Sequence, residues 1–183
     1  DTDPHVRRHA VRIAESQLSQ SAELTTTMSN LAQDDDAFVR LQVAYSAASL
    51  EPSTSSKVLA ALMARDSGNV HIMSAVESSL SARNVAQILK DSDAAIPRKM
   101  RDRLLANAAT LADVESLRAL LKQLSTSAMQ PGTATEAVEN MNQLAQFVDS
   151  WSRRSEHLLS PRDESVQAIW KPVMTHAISV AAN

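Results

Sequence analysis

His5 and His9 stand four residues apart, a spacing that places two imidazoles on one helix face and holds a divalent metal when a third ligand approaches. No acidic residue or further histidine follows at a matching spacing, and Arg7 and Arg8 between them repel a cation, so the two read as surface histidines. The run Asp34-Asp35-Asp36 lacks the alternating oxygen ligands, central glycine and distal glutamate of a calcium loop. Helix capping and complementarity to the helix dipole account for it. Serines are plentiful, but no Gly-x-Ser-x-Gly elbow or Ser-x-x-Lys arrangement accompanies them. Cysteine is absent, which removes disulfides, thiolate metal sites and covalent haem attachment from this segment. The residues assemble no active site and call for no cofactor, so the chain reads as non-enzymatic.

The remaining chemistry is that of contact. Arg98, Lys99, Arg101 and Arg103 form the densest basic cluster and, with Arg118 and Lys122, make a patch suited to an acidic partner. Trp151 beside Arg153 and Arg154, and Trp170 beside Lys171, combine the residue types enriched at binding hot spots. The competing reading is a solvated helix face for the basic cluster and core positions for the two tryptophans. A net charge of −3 argues against a nucleic-acid surface, and no apolar run reaches the roughly 18 residues of a membrane span.

These residues must be carried by helices. Aromatic residues are 3% of the 183-residue chain while hydrophobic residues are 44%, so the core is drawn from Ala, Leu, Val, Ile and Met. Two glycines in the whole chain disfavour a strand-rich fold, which places glycine at turns and bulges. The fold class is all-α.

Asp3-Pro4 reads as a cap and first helical residue, followed by a face of Val6, Ala10, Ile13, Ala14 and Leu18. A break near residues 19–21 leads to a helix with Leu24, Met28 and Leu31; Asp36 then caps one with Val39, Val43 and Ala47. Pro52 opens a fourth carrying Val58, Leu59, Leu62 and Met63, and Ser67-Gly68-Asn69 marks a turn. Further helices are expected around Val85, Ile88 and Leu89, from Pro97 with Met100, Leu104, Leu105, Ala108 and Leu111 inward, and after Asp113 with Leu117, Leu120, Leu121 and Leu124. A longer loop is expected near 125–133. The capping-box pattern Thr133-x-x-Glu136 precedes a helix with Val138, Met141, Leu144, Ala145, Val148 and Trp151. Ser160-Pro161 opens the last helix, through Ile169, Trp170, Val173, Ala177, Ile178 and Ala181, which Pro172 should kink or split.

The segment Asp1-Thr2-Asp3-Pro4-His5-Val6-Arg7 recurs thirty-three residues later as Asp34-Asp35-Asp36-Ala37-Phe38-Val39-Arg40. A third, weaker copy near Val70 places His71 where Arg40 stood. A period of this size, each copy opening a helical pattern, marks stacked helical hairpins. The motif resembles the inter-helix turn of HEAT repeats. That resemblance implies Asp3 and Asp36 as caps, Pro4 at the first helical position, Val6 and Val39 as core anchors, and Arg7 and Arg40 as a ladder to acidic turn residues. The order of this motif, Val39-Arg40-Leu41-Gln42 and Ala75-Val76-Glu77-Ser78-Ser79-Leu80 also resembles the HEAT segment of large Planctomycetes and Verrucomicrobia proteins that join a dehydrogenase-like propeller to a cytochrome c domain. That implies an exported, periplasmic parent in which this part is the helical connector.

The expectation is one domain over 1–183, a right-handed α-solenoid of about nine or ten helices, regular over 1–90 and irregular over 91–183. Asp1 falls inside a motif without an initiator Met, which reads as a fragment of a longer protein. The function expected is a non-catalytic scaffold contacting another protein or neighbouring domains of its own chain. The alternatives are a HEAT-like DNA repair glycosylase, which would need a basic groove, and a carrier holding a tetrapyrrole non-covalently through His71 or His176.

Overall fold

In the computed structural model, residues 1–91, 96–111, 113–130, 133–154 and 164–181 are described; of Val114, Ala134, Arg154, Ser165 and 177–181 only the backbone is. The described residues form ten α-helices and no strand: α1 (Pro4–Ala14), α2 (Ala22–Leu31), α3 (Ala37–Ser46), α4 (Pro52–Asp66), α5 (Val70–Ser78), α6 (Ala82–Asp91), α7 (Arg98–Leu111), α8 (Val114–Ala128), α9 (Ala134–Arg154) and α10 (Glu164–Ala181). The protein is all-α. Two units are distinguished, Asp1–Arg101 and Asp102–Asn183.

In the first unit the helices make two rows. α3 packs between α1 and α5, and α4 packs against α2 and α6, while α3 and α4 join the rows. Asp3 accepts from the backbone N–H of His5, Asp36 from those of Phe38 and Val39, and Asn69 from those of His71 and Ile72. Each side chain satisfies N–H groups that a helix start leaves without partners. The three caps stand at 3, 36 and 69, a constant step of thirty-three. This step corrects the register of the third copy: the residue equivalent to Val39 is buried Ile72, and Met73, not His71, occupies the position of Arg7 and Arg40. His71 is exposed and two residues before that position, at the place of Phe38.

Val39 is fully buried, but Val6 is 47% exposed and Ile13 is 73% exposed. The face that α1 turns inward is Arg7, Val11, Ala14 and, after a 3₁₀ turn over Glu15–Gln20, Leu18. Two apolar stripes run along α1, and periodicity cannot choose between them. Arg7, which must reach Asp34, selects the stripe one residue round from Val6. The core of this unit continues through Met28, Val43, Leu59, Leu62, Met63, Ile72, Val76, Val85 and Ile88.

In the second unit α8 packs against both α9 and α10. Leu104, Leu105, Ala108 and Ala109 of α7 are buried, whereas Leu111, expected inward, is exposed at the helix end. Asp113 caps α8 by accepting from Ser116 N at 2.9 Å. The loop expected near 125–133 is shorter: α8 continues to Ala128, with Leu124, Ser125 and Ala128 buried. Thr126 returns its hydroxyl to the Lys122 carbonyl at 2.8 Å, so this polar residue is accommodated within the helix, whereas the buried Ser125 hydroxyl makes no hydrogen bond among the described residues. Pro131 and Gly132 lie outside the described residues. Thr133 and Glu136 close a reciprocal capping box, Thr133 N to Glu136 Oε2 at 2.8 Å and Glu136 N to Thr133 Oγ1 at 3.2 Å. On α9 the buried residues are Gln143, Leu144, Phe147 and Trp151, while Val138 and Ala145 face solvent. α10 runs unbroken past Pro172. The Ser160-Pro161 start, and the side chains of Ala177, Ile178 and Ala181, fall outside the described residues.

Candidate protein-binding surface

Two arginines fix how successive hairpins of the first unit sit on each other. Arg7 donates from Nε to Asp34 Oδ2 at 2.7 Å and from Nη2 to Asp34 Oδ1 at 2.8 Å. Its Nη1 donates to the carbonyls of Asp1 and Thr2, both at 2.9 Å. Arg40 repeats the pattern, with Nε to Asp66 Oδ2 at 2.8 Å, Nη2 to Asp66 Oδ1 at 2.7 Å, and Nη1 to the carbonyls of Asp34 and Asp35 at 2.6 and 3.0 Å. One guanidinium thus holds its own turn through two carbonyls and a later turn through a two-point carboxylate pair, a geometry that lysine cannot supply. Asp34 Oδ1 also accepts from Asp36 N at 2.9 Å, which ties the pair to the cap of α3.

The electrostatics follow from this geometry. The Arg7 hydrogen bond, with the Asp36 N–H adding to it, holds the Asp34 carboxyl below its ordinary range against the opposing effect of burial. Arg7 and Arg40 are raised by their carboxylate partners, Asp34 and Asp66 respectively.

The opposite ends of the helices are pinned as well. Glu15, following α1, accepts from Ser46 Oγ and from Gln42 Nε2 of α3. Ser79, following α5, donates to the Ala44 carbonyl at 2.7 Å, and Asn84 of α6 donates to Ser55 Oγ of α4 at 3.1 Å.

With the rows fixed, the outer side of α1 and α3 forms a shallow pocket of about 140 Å³ lined by Arg8, His9, Arg12, Phe38, Leu41, Gln42 and Tyr45. Phe38 is 62% exposed and Tyr45 52% exposed. They are seven residues apart on one stripe of α3, away from the buried stripe of Val39, Val43 and Ala47. Sequence reasoning missed this pair, because α3 carries apolar residues on every side and offers no contrast to read. The available signal was their type: two of the chain's few aromatics share a stripe.

The residues singled out from sequence fall differently. Trp151 is only 5% exposed and packs against Phe147, ring centroids 5.7 Å apart and tilted by 51°, so it is a core residue of the second unit and not a partner contact. Trp170 is half-buried on α10. Arg98, Lys99 and Arg103 are exposed on α7 and Arg101 is half-buried there. Arg118 pairs with Glu115 one turn away at 3.0 Å, and Arg153 pairs with Asp149. His5, His9 and His71 are exposed and His176 is half-buried. Among the described residues no three His, Cys, Asp or Glu side chains come together as a metal site, and no helix is long and apolar enough to cross a membrane.

No family model, curated protein or solved structure matches this chain.

Proposed function

We propose that this chain is a non-catalytic helical-repeat scaffold of HEAT-like type that binds another protein or a neighbouring domain of its own chain. The observation that carries the reading is the recurrence of one guanidinium geometry at Arg7 and Arg40, on helices whose caps are thirty-three residues apart. Hairpins joined by a linkage whose arginines recur after thirty-three residues and whose carboxylates recur after thirty-two stack in a similar manner and form an extended right-handed superhelical surface. Such a surface recognises a partner through a few side chains from each repeat.

The test is site-specific photo-crosslinking in the cells that make the protein, with p-benzoylphenylalanine at exposed Tyr45 on α3 and at exposed Gln146 on α9. Covalent adducts to a protein, or to a further domain of the same polypeptide, are the expected result. No protein adduct from either position would remove the scaffold reading.

The narrower role, connector between a propeller and a cytochrome c domain in an exported protein, rests on the motif order over residues 1–80. The reading frame on either side tests it: a downstream Cys-x-x-Cys-His with an upstream propeller and signal peptide supports the role, and their absence overturns it.

A further inference from the structure

Resting on the scaffold reading, we infer that the pocket between α1 and α3 is the docking site for an acidic segment of a protein partner, one in which carboxylates alternate with apolar side chains. Neither α1 nor α3 contains an acidic residue, and between them they carry Arg7, Arg8, Arg12 and Arg40. Arg7 and Arg40 are neutralised by Asp34 and Asp66. Arg8 and Arg12 have no carboxylate within ion-pair distance among the described residues, and both line the pocket. Glu15, the acid that follows α1, turns instead to Ser46 and Gln42. A chain with net charge −3 therefore keeps two uncompensated guanidinium groups together at one spot.

The opposite wall is aromatic and apolar. Phe38 and Tyr45 expose aromatic rings about 10 Å apart along α3, and Leu41 lies between them on the same side. Arg8 and Arg12, four residues apart, are about 6 Å apart along α1. A ligand bearing charge alone would leave the aromatic wall wet, and a purely apolar one would leave the arginines without partners. An acidic and apolar peptide satisfies both, its carboxylates meeting the guanidinium forks and its apolar side chains covering Phe38, Leu41 and Tyr45. Gln42, whose amide is already held by Glu15, and His9 supply the remaining polar lining.

The experiment is a fluorescence-anisotropy titration with a labelled twelve-residue peptide in which Glu alternates with Leu and Phe. Its companions are a version with Gln in place of Glu, and a tetraglutamate without apolar residues. Binding of the acidic-apolar peptide, weakened by salt and by both companion changes, is expected. The double variant Arg8→Ala/Arg12→Ala and the single variant Tyr45→Ala should each lose about tenfold in affinity, and Arg98→Ala/Lys99→Ala on α7 tests the basic cluster there as the rival site. All the positions changed are solvent-facing or half-buried, and thermal melting of each variant checks the fold. No binding by the parent, equal binding by the Arg8/Arg12 variant, or a loss confined to the α7 variant would each overturn the pocket. Any of these together with protein adducts from Gln146, which lies outside the pocket, would leave the scaffold reading in place and remove this site alone.

Discussion

Arg40 and Asp66 meet twenty-six residues apart through two parallel hydrogen bonds of 2.8 and 2.7 Å, and both side chains are almost wholly withdrawn from water. A charge pair in such a place is destabilising when halved and close to neutral when replaced whole by apolar groups, because desolvation has already consumed most of the attraction. Arg40→Met alone should cost about 2 to 3 kcal/mol, as should Asp66→Leu alone; Arg40→Met/Asp66→Leu should cost clearly less than their sum. The third repeat already uses this solution in half, with buried Met73 where the arginine would stand. The double variant will not return fully to the parent, since Arg40 Nη1 also serves the Asp34 and Asp35 carbonyls. Urea denaturation of the four proteins measures the coupling, and simple additivity would refute the pairing as an energetic unit.

Val39 and Val6 occupy equivalent places in the motif and opposite environments in the fold. Val39→Asp should unfold the first unit, with a loss above about 4 kcal/mol from burying an unpaired charge. Val6→Asp should change stability by no more than about 0.5 kcal/mol. Circular dichroism melts decide the matter. Equal effects at the two positions would mean that α1 presents the other stripe inward.

How far the sequence specifies this molecule is visible in that pair. Its poverty in glycine and aromatics, and the caps at Asp3, Asp36 and Asp113, suffice for an all-α chain and for most helix starts, because capping is a local event written within four residues. Which side of a helix faces inward is not local. In α1, Val6, Ala10 and Ile13 have as good a period as the stripe actually buried, and only the reach of Arg7 to Asp34 discriminates. Met73 is hidden in the sequence because the weakened third copy offers the polar His71 as a match, whereas the structure sets the register by the cap, Asn69. The pocket was equally unreadable: its two walls come from helices twenty-odd residues apart, and an arginine without a carboxylate partner looks, in sequence, like one with such a partner.

Asp36 satisfies two backbone N–H groups at 2.9 and 3.0 Å. Asp36→Ala should lower stability by about 1 kcal/mol, and Asp36→Asn should recover much of it, since Asn accepts at the same place. Amide hydrogen exchange at Phe38 and Val39 offers a local readout: faster exchange in the alanine variant with little change on α9 is expected, and uniform protection across both variants would contradict the cap.

Acidification should act through a small set of carboxylates. Asp34 is depressed chiefly by the Arg7 hydrogen bond, Asp113 by the backbone N–H and then the hydroxyl of Ser116, and Glu136 by the backbone N–H and then the hydroxyl of Thr133. A carboxyl whose pKa is lower folded than unfolded gives stability that is whole above its ordinary value, 3.8 for Asp and 4.5 for Glu. That stability is lost as pH falls through the depressed folded value. The midpoint of thermal unfolding should therefore fall most steeply below about pH 4. Asp34→Asn should be less stable than the parent at pH 7, flatter in its pH dependence, and close to the parent at the acid end. Parallel curves across the whole range would exclude Asp34 as a contributor.

Phe147 is fully buried against Trp151. Phe147→Ala should destabilise by about 3 to 4 kcal/mol and blunt the near-ultraviolet tryptophan dichroism, whereas Trp170→Ala, at a half-buried position, should cost less. The reverse order would place the second unit's core around α10 instead.

The pinning of helix ends in the first unit separates two kinds of position. Asp34, Asp36, Arg40 and Asp66 at one end, and Glu15, Ser46, Ser79 and Asn84 at the other, decide where each helix lies, and none of them lines the pocket. Of the residues that do, Gln42 also belongs to the frame through Glu15, whereas Arg8, Arg12, Phe38, Leu41 and Tyr45 settle only what the helix displays. On the proposed scaffold function, specificity would drift by single substitutions while the frame that presents it stays put: the hairpins would act as a fixed mount with interchangeable faces, and a new partner could be acquired without refolding the old protein.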